Sequence, residues 1–465
     1  MYRKILIAVA VGCALCMLAP AQDAAGVLQA ALKNMSDVKS VQFSGSGATF
    51  SLGQSATPTS PGPRVEVRSF TRTIDYDKAA ARNESTGAQG PAATQFVAGD
   101  KAWGQAASGT VTPASAAAAT DRQLQIWLTP HGFLKGALAN NATIKGGKVN
   151  LVTFTTLGKH RVTGTISKDN LVEKVESWVD NPVLGDMKVE TTYSDYRDFG
   201  GLRFPARIVQ SQGGFPVLDL TVTAARANVP LDLTVPASVG QATPTAVSVT
   251  SEKLADGVWY LTGGTHHSVV VEFADHVAVI EAPQNEDRSN AVIAEVKKLV
   301  TSKPIRYLIN THHHFDHSGG LRTYVAEGAR IVTHQINKPF YEKTSKAPHT
   351  LAPDRQSREK KKAKIVAVGD LHLLTDRTRT LEIHRIQGSP HNDGILMVYL
   401  PKEKVLVQVD VYQPLAVNAA PPSTPPPAAV NLYENIQRLN LDVDRIAALH
   451  GRLVTIADLR KTIGK

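Results

Sequence analysis

Residues 311–320 read THHHFDHSGG and carry the strongest structural signal in this chain. They follow the apolar run Ile305 to Ile309, whose length and β-branched residues predict a short buried strand. His312 and His314 are two positions apart, so in extended backbone both rings lie on one side, while Asp316 and His317 follow after one tight turn. This spacing predicts a loop at a strand end that holds two metal ions side by side.

Length and composition indicate a globular protein of two or more domains. The chain has 465 residues, of which 42% are apolar and 20% are charged. The formal net charge of +10 comes mainly from scattered Lys and Arg residues, without the interleaved aromatic residues that are typical of a nucleic-acid surface. This charge pattern predicts no nucleic-acid partner, whereas the metal-binding loop at residues 311–320 favours a small-molecule substrate.

The N-terminus has the pattern of a targeting segment. A short basic segment precedes the apolar stretch Ile5 to Leu18, which is too short to span a membrane comfortably, and small residues favour cleavage before Gln22. Residues 1–21 are therefore predicted to be a signal peptide that directs the protein to the periplasm or the medium. Cys13 and Cys16 lie inside it, so the mature chain would have no thiol. Lipid attachment to one of them is an alternative, and only that would tie the protein to a membrane.

Residues 22–240 are predicted to form a β-rich accessory domain. A helix is expected at Ala24 to Met35, a second helix near Asp121 to Ala137, and a loop at Ser51 to Arg64. Strands separated by turn residues are expected at Val149 to Phe154, His160 to Ser167, Leu171 to Val179, Met187 to Tyr196, Leu202 to Gln212 and Val217 to Ala225. This order predicts an antiparallel meander crossed by a helix.

The segment from Tyr193 to Pro205, YSDYRDFGGLRFP, resembles the strand-turn-strand of lipoprotein-carrier domains. That resemblance implies a curved half-barrel; an unrelated accessory β-domain is the alternative. The segment from Asn228 to Thr250 is rich in Pro, Val, Thr and Ala, and it predicts a linker at 241–250. From residue 251 to 465 strands alternate with helices, which indicates two packed sheets with helices outside.

The order of these elements and the THHHFDHSGG loop resemble the metallo-β-lactamase fold family, over about residues 251–465. The resemblance implies an α+β fold, namely an αββα sandwich with metals at one edge, preceded here by the antiparallel β-rich domain. It also implies three further metal ligands, each on a loop after a strand. His391 in GSPHNDG, Asp410 after VLVQV and His450 before Gly451 match them.

Carried over to this sequence, the resemblance assigns each metal ion its ligands. The first ion would be held by His312, His314 and His391, the second by Asp316, His317 and His450, and Asp410 would bridge both. The His-rich set favours two Zn²⁺ ions, with iron or manganese as alternatives. His384 is a rival for His391, and Asp393 or Asp376 for Asp410. Among the other histidines, His313 is expected to point away from the metals, His266 and His267 are candidates for a substrate contact, and His334 and His349 are expected to be packing or surface residues.

These ligands predict hydrolysis by a metal-bridging hydroxide, with Asp316 orienting it and then helping to protonate the leaving group. The expected substrate is an ester, lactone, thioester or amide. An aspartate at position 410 resembles the glyoxalase II, lactonase and phosphodiesterase branches of the family, so β-lactamase activity is the less favoured version. A second hypothesis is a periplasmic carrier whose β-domain binds an apolar ligand and whose metal site is secondary.

Overall fold

The structure is a computed structural model that describes residues 24–88, 90–243 and 246–465. The predicted signal peptide, residues 1–21, with Cys13 and Cys16, lies outside the described residues. Among the helices that are described, none combines the length and the apolar character needed to cross a membrane.

The N-terminal domain is built on one large antiparallel sheet with helices on one face. Its strands are β1 (Ser40–Phe50), β2 (Arg64–Asp75), β3 (Ala80–Gly87), β4 (Gly90–Pro91), β5 (Thr94–Ala98), β6 (Lys101–Gln105), β7 (Val111–Pro113), β8 (Thr143–Lys145), β9 (Asn150–Thr156), β10 (His160–Ile166), β11 (Val172–Asn181), β12 (Gly185–Asp198), β13 (Arg203–Gln212) and β14 (Phe215–Ala227). Its helices are α1 (Ala24–Met35), α2 (Ala116–Trp127), α3 (Pro130–Ala139) and α4 (Ala237–Gly240).

The order of strands in this sheet is β7-β6-β5-β3-β2-β1-β14-β13-β12-β11-β10-β9-β8, and β4 pairs with β3. The first strand is therefore central, because it pairs with β2 on one side and with β14 on the other. Helices α1 and α3 pack on the sheet through buried side chains such as Leu28, Met35, Phe133 and Leu134. The predicted antiparallel meander is confirmed in β9 to β14, and helix α1 has the predicted bounds.

The single helix predicted near Asp121 to Ala137 is wrong, because the chain forms two helices, α2 and α3, that meet at Thr129. Proline disfavours helical backbone at the residue before it, and Thr129 is extended (φ −84°, ψ 156°) in front of Pro130. The Thr129 side chain then caps α3 by accepting a hydrogen bond from the backbone N–H of Gly132.

The C-terminal domain contains two sheets and flanking helices. One sheet holds β15 (Thr250–Ala255), β16 (Val258–Thr262), β17 (Ser268–Glu272), β18 (Val277–Ile280), β19 (Ile305–Ile309), β20 (Arg330–His334) and β21 (Lys364–Val368), and the other holds β22 (Leu371–Thr375), β23 (Thr380–Arg385), β24 (Leu396–Leu400), β25 (Val405–Gln408), β26 (Arg445–Ala448) and β27 (Leu453–Thr455). The helices are α5 (Glu286–Leu299), α6 (Phe315–Ser318), α7 (Leu321–Glu327), α8 (Lys338–Thr344), α9 (Arg355–Glu359), α10 (Pro427–Arg438) and α11 (Ile456–Thr462), with a 3₁₀ turn at Gln335–Asn337.

The buried side chains divide this domain into layers. Alternate residues of β17 point to opposite faces, so Val269 and Val271 meet the second sheet while Val270 meets helix α5. The inter-sheet core also contains fully buried residues of β25 such as Leu406, and each such side chain contributes about 1.5–3 kcal/mol by leaving water. This is the predicted αββα sandwich, and its loops meet at one edge.

Among residues 24–88, 90–243 and 246–465, hydrogen bonds join the two domains in two regions. At the first, the start of β12 binds the loop after α8. Asp186 accepts hydrogen bonds from the backbone N–H groups of Thr350 (2.9 Å) and Leu351 (3.0 Å), and its own N–H donates to Pro348 O (2.7 Å). At the second, the loop between β1 and β2 reaches the edge of the sandwich where the predicted metal ligands lie.

Candidate metal centre

The backbone of the THHHFDHSGG loop explains how several of its side chains converge. Strand β19 ends at Ile309, and one helical turn begins after His314, whose carbonyl accepts hydrogen bonds from the N–H groups of His317 (3.0 Å) and Ser318 (2.9 Å). Gly319 lies so close to the segment after β18 that a Cβ there would be 1.9 Å from Gln284 O. A residue with a side chain would push this turn away from the sheet.

Four side chains from three loops form the first group of ligand atoms. His312, His314, His391 and Asp410 each place one such atom within 4.8 Å of the other three. Oδ2 of Asp410 lies 3.4 Å from His312 Nε2 and 3.3 Å from His391 Nε2, and His391 Nε2 lies 3.1 Å from His314 Nδ1. Asp410 has a left-handed backbone (φ 59°), which aspartate tolerates and which lets the chain turn sharply after β25.

A second group adjoins the first. Ligand atoms of His266, Asp316 and His317 also lie within 4.8 Å of one another, and His317 Nε2 is 2.9 Å from the Asp410 carboxylate, which connects the two groups. His450 lies at the border: its Nδ1 is 3.3 Å from Asp410 Oδ1, and its ring stacks on His266 at a centroid distance of 4.4 Å. The structure thus brings the predicted ligands together and adds His266 to them.

Buried polar residues behind the histidines hold the loop in place. Glu281, which is fully buried at the end of β18, accepts hydrogen bonds from Thr311 Oγ1 and from Asn310 Nδ2 (2.8 Å). Asn310 in turn accepts a hydrogen bond from the hydroxyl of Tyr341 (2.6 Å) and donates to His317 O (3.2 Å). The sequence analysis did not find these residues, although a glutamate that ends an apolar strand is a usable signal.

Burial and mutual contact shift the pKa values of this cluster in opposite directions. Burial lowers the pKa of His314 to about 4 and that of His312 well below its usual range. Burial opposes ionisation of Asp410, but hydrogen bonds from His312, His317 and His391 outweigh it and hold the pKa of this carboxyl well below its usual range. His312 and His314 are therefore neutral and Asp410 is ionised, which are the protonation states that bind metal ions.

The pKa of Asp316 is also held well below its usual range. Burial raises it, but hydrogen bonds from His266 and Gln54 and the charge of His317 outweigh that effect. Burial likewise lowers the pKa of His317, yet the hydrogen bond and charge of Asp410 raise it to about 9. The second group therefore holds an ionised Asp316 carboxylate beside a His317 imidazole that binds a proton more strongly than usual.

The donors present fit a divalent metal centre. His312 Nε2, both ring nitrogens of His317 and Asp410 Oδ1 are buried, and within the described residues none of them makes a hydrogen bond of regular geometry, although His312 Nε2 and His317 Nε2 lie 3.4 Å and 2.9 Å from Asp410 Oδ2. A buried polar atom without a partner is costly, and a metal ion shared by these atoms would remove that cost. His312, His314, His391 and Asp410 would hold one ion, and Asp316, His317 and His266 or His450 would hold another beside Asp410.

The rival residues lie outside both groups. His384 lies in strand β23 and contacts Glu382 (2.9 Å), and Asp376 closes a hairpin by accepting a hydrogen bond from Thr378 N (2.7 Å). Asp393 is also in neither group, although its backbone N–H contacts Ala56 O (3.0 Å). His313 points away from the ligands, as predicted, toward Asn392 Nδ2 (3.1 Å).

The remaining histidines have packing roles. His267 is buried with its ring edge-on to Tyr260, at a centroid distance of 5.2 Å. His334 and His349 are both buried as well, so of the two predicted roles the packing role applies to each of them.

Part of this chain is similar to known proteins. Residues 261–407 match the family model described as the metallo-beta-lactamase superfamily. A curated relative, the alpha subunit of 2,4-dinitroanisole O-demethylase from Nocardioides sp. (strain JS1661), is 22% identical over 163 residues, which are 35% of this chain and 46% of that protein. The chain thus spans less than half the length of this relative.

Solved structures similar to this chain include three metallo-beta-lactamases. The enzyme from Pontibacter korlensis is 17% identical and is matched over 47% of this chain and 98% of its own, with a TM-score of 0.35. The enzyme from Hirschia baltica is 19% identical (46% and 96%, TM-score 0.34), and FIM-1 from Pseudomonas aeruginosa in its mono-zinc form is 18% identical (48% and 96%, TM-score 0.34). The C-terminal domain of this chain is thus similar to the metallo-beta-lactamase superfamily, whose family model matches residues 261–407.

Proposed function

We propose that this protein is a dinuclear zinc-dependent hydrolase. The observation that carries the proposal is the Asp410 carboxylate, which lies within 3.4 Å of nitrogen atoms from four histidines, His312, His317, His391 and His450. A structural zinc site is closed by four ligands, whereas two adjoining groups around one carboxylate suit a pair of ions with open positions. The predominance of imidazole favours zinc over iron or manganese.

Bound zinc would polarise the scissile bond and lower the pKa of a coordinated water toward neutrality. The residues of this chain would orient the water and form the entrance for the substrate. Asp316, whose pKa is held low, is ionised and can orient an attacking water by accepting a hydrogen bond from it. The ring of His450 is about one third exposed, so it faces the side from which a substrate would enter.

The proposed substrate class is an ester, lactone, thioester or amide. The relative from Nocardioides is named for removing a methyl group from the oxygen of 2,4-dinitroanisole, so an activated aryl methyl ether is a further candidate. The test is a turnover screen of zinc-loaded protein with p-nitrophenyl acetate, a lactone, a thioester, nitrocefin and 2,4-dinitroanisole. Metal content is measured on the same sample.

Two variants sharpen this test. H312A removes a ligand of the first group and is expected to cost the zinc ion held there and to lower turnover by more than about 100-fold. H372A removes a histidine from the edge strand β22 of the same domain and should change neither. Protein that binds no metal, or turnover that survives H312A unchanged, would contradict the proposal.

We also propose that the protein is exported and that its mature form begins at Gln22. The support is the basic and apolar pattern of residues 1–21 in the sequence. Expression of the full chain in a Gram-negative host, followed by mass spectrometry of the periplasmic fraction, tests this. An intact Met1 in cytoplasmic protein would refute it.

A second candidate function, a carrier of an apolar ligand, is favoured by one feature of the N-terminal domain. A cavity of about 330 Å³ opens between its sheet and helices and is lined by Phe43, Phe70, Phe204, Leu218 and the Arg72 guanidinium, among others. Burial lowers the pKa of Arg72 to about 10. Aromatic walls with two guanidinium groups, Arg72 and Arg122, beside the one carboxyl of Asp121 suit a ligand with an apolar body and an acidic head.

The test is the binding of a fluorescent fatty acid to the full chain. L218W places a larger side chain in the cavity and is expected to weaken binding at least tenfold. L157W adds the same side chain at an exposed turn, 40% accessible, and should leave binding unchanged. Equal binding by the two variants, or no binding by the wild-type chain, would exclude the carrier function.

A further inference from the structure

The loop between β1 and β2, residues 51–63, belongs to the N-terminal domain but lies against the metal centre of the other domain. Its base is closed by a hydrogen bond from Ser51 N to Pro63 O (3.2 Å), and Gly62 packs so closely that a Cβ would lie 1.9 Å from Ser51 O. Within the loop, Ser55 Oγ donates to Thr57 O (2.7 Å). We call this segment the bridging loop, and its internal bonds give it a defined shape.

The tip of the bridging loop contacts two predicted metal ligands directly. Gln54 Nε2 donates a hydrogen bond to Asp316 Oδ1 (2.8 Å), and His314 Nε2 donates one to the backbone carbonyl of Ser55 (3.0 Å). The same carbonyl accepts a second hydrogen bond from Asn392 Nδ2 (3.2 Å), on the loop that carries His391. Three ligand-bearing segments are thus joined to one short stretch of the other domain.

Close packing leaves the loop little freedom to move. Gly53 has a left-handed backbone (φ 75°), and a Cβ on it would lie 2.4 Å from the ring of Phe315, which is next to Asp316. The Gly53 carbonyl accepts a hydrogen bond from Phe315 N (3.3 Å), and Ala56 O accepts one from Asp393 N (3.0 Å). These contacts hold Gln54 and Ser55 in place beside the ligands.

These bonds have a chemical consequence for the ligands. A histidine that donates one ring N–H to a carbonyl presents its other nitrogen to a metal ion, so Ser55 O fixes His314 with Nδ1 toward His391 and Asp410. In the same way, the amide of Gln54 holds one oxygen of Asp316, and His266 Nε2 lies 3.3 Å from the other. The orientation of the Asp316 carboxylate is therefore set by both domains.

We propose that the bridging loop completes the metal centre, with Gln54 as a positioning residue for Asp316, so that the site is shared between the two domains. This inference rests on the proposed metal site, but not on turnover of any substrate. Partners of this kind outside the direct ligands typically change metal affinity by 10–100-fold. Because Gln54 contacts the second group of ligands only, its loss should weaken one of the two ions selectively.

The test compares zinc affinities of the full chain and its variants by competition with a chelator. In Q54L the side chain keeps nearly the same size but has no donor, and we expect the dissociation constant of the weaker-bound zinc to rise about 10–100-fold. The tighter-bound zinc and the melting temperature of the metal-free protein should be unchanged. T59A, at an exposed position of the same loop, is the matched control and should behave as wild type.

Two results would overturn the inference: zinc affinities of Q54L within twofold of wild type, or an equal loss of both ions. A failure of the proposed hydrolase function would be seen in a different measurement, namely the turnover of the wild-type protein. Wild-type protein that binds two zinc ions and hydrolyses no substrate would refute that function, while the selective effect of Q54L would still support the shared site.

Discussion

His131, in the first turn of α3, is placed where it should make the stability of the N-terminal domain depend on pH. Its Nε2 lies 3.0 Å from Met35 O and 3.1 Å from Ser36 O, so it donates to carbonyl groups at the C-terminal end of α1. The ring is fully buried near Tyr76 and Phe204, and Nδ1 has no partner within the described residues. Burial lowers the pKa of His131 to about 4.

The sign of the effect follows from where the proton binds. An unfolded chain takes up a proton on this histidine below pH 6.5, whereas the folded domain does not do so until about pH 4. The stabilisation is therefore complete above pH 6.5 and is lost as the pH falls toward 4. A pKa difference of one corresponds to about 1.4 kcal/mol, so the fall in the His131 pKa from 6.5 to about 4 changes the free energy of unfolding by about 3 kcal/mol.

The assay is urea unfolding of wild type and H131Q at pH 7 and pH 4, followed by tryptophan fluorescence. Glutamine keeps an amide donor for the two carbonyls but does not titrate. Between pH 7 and pH 4, wild type should lose about 3 kcal/mol more than H131Q, since all other groups titrate in both proteins. The same pH dependence in the two proteins would refute the argument.

Three further predictions concern packing, the domain contact and the metal ions. L406A should lower the free energy of unfolding by about 3 kcal/mol through lost contacts and a cavity, whereas L371A, at a position 54% exposed, should lower it by less than about 1 kcal/mol in the same urea titration. D186A removes the acceptor of Thr350 N and Leu351 N and should lower the free energy of unfolding by about 2 kcal/mol. The control D169A, at an exposed turn, should leave that free energy unchanged. Equal melting temperatures of the two variants would contradict this prediction. Dialysis against EDTA should lower the melting temperature; zinc at about 100 times its dissociation constant should restore about 2.7 kcal/mol, and calcium should restore none because imidazole donors do not suit it.

Much of the centre was predictable because its residues are close in sequence or end apolar strands. His312 to His317 occupy one loop, and Asp410 and His450 each follow a run of apolar residues that the structure shows as β25 and β26. Helix α1 was predictable for a similar reason, because its buried Leu28, Leu32 and Met35 recur at helical spacing.

Other features depend on contacts that a local pattern does not contain. The Ser, Pro and Gly residues of the bridging loop predict a loop, but nothing in them indicates that Gln54 will contact Asp316. The sequence analysis also did not single out β1 to β7. Strand β2 explains why, since most of its residues are exposed or half-buried and lack the clear alternation of a strand with one buried face. The break at Thr129 had a visible signal, the following proline, which should have outweighed the apolar spacing.

The bridging loop also affects the order in which the two domains fold and come into contact during synthesis. Gln54 and His450 are nearly 400 positions apart in the chain, yet both lie beside the same cluster. Contacts between such distant segments form late in folding. The N-terminal domain therefore emerges from the ribosome long before His450 is added, and the contacts of the bridging loop with the metal ligands form only after both domains are present.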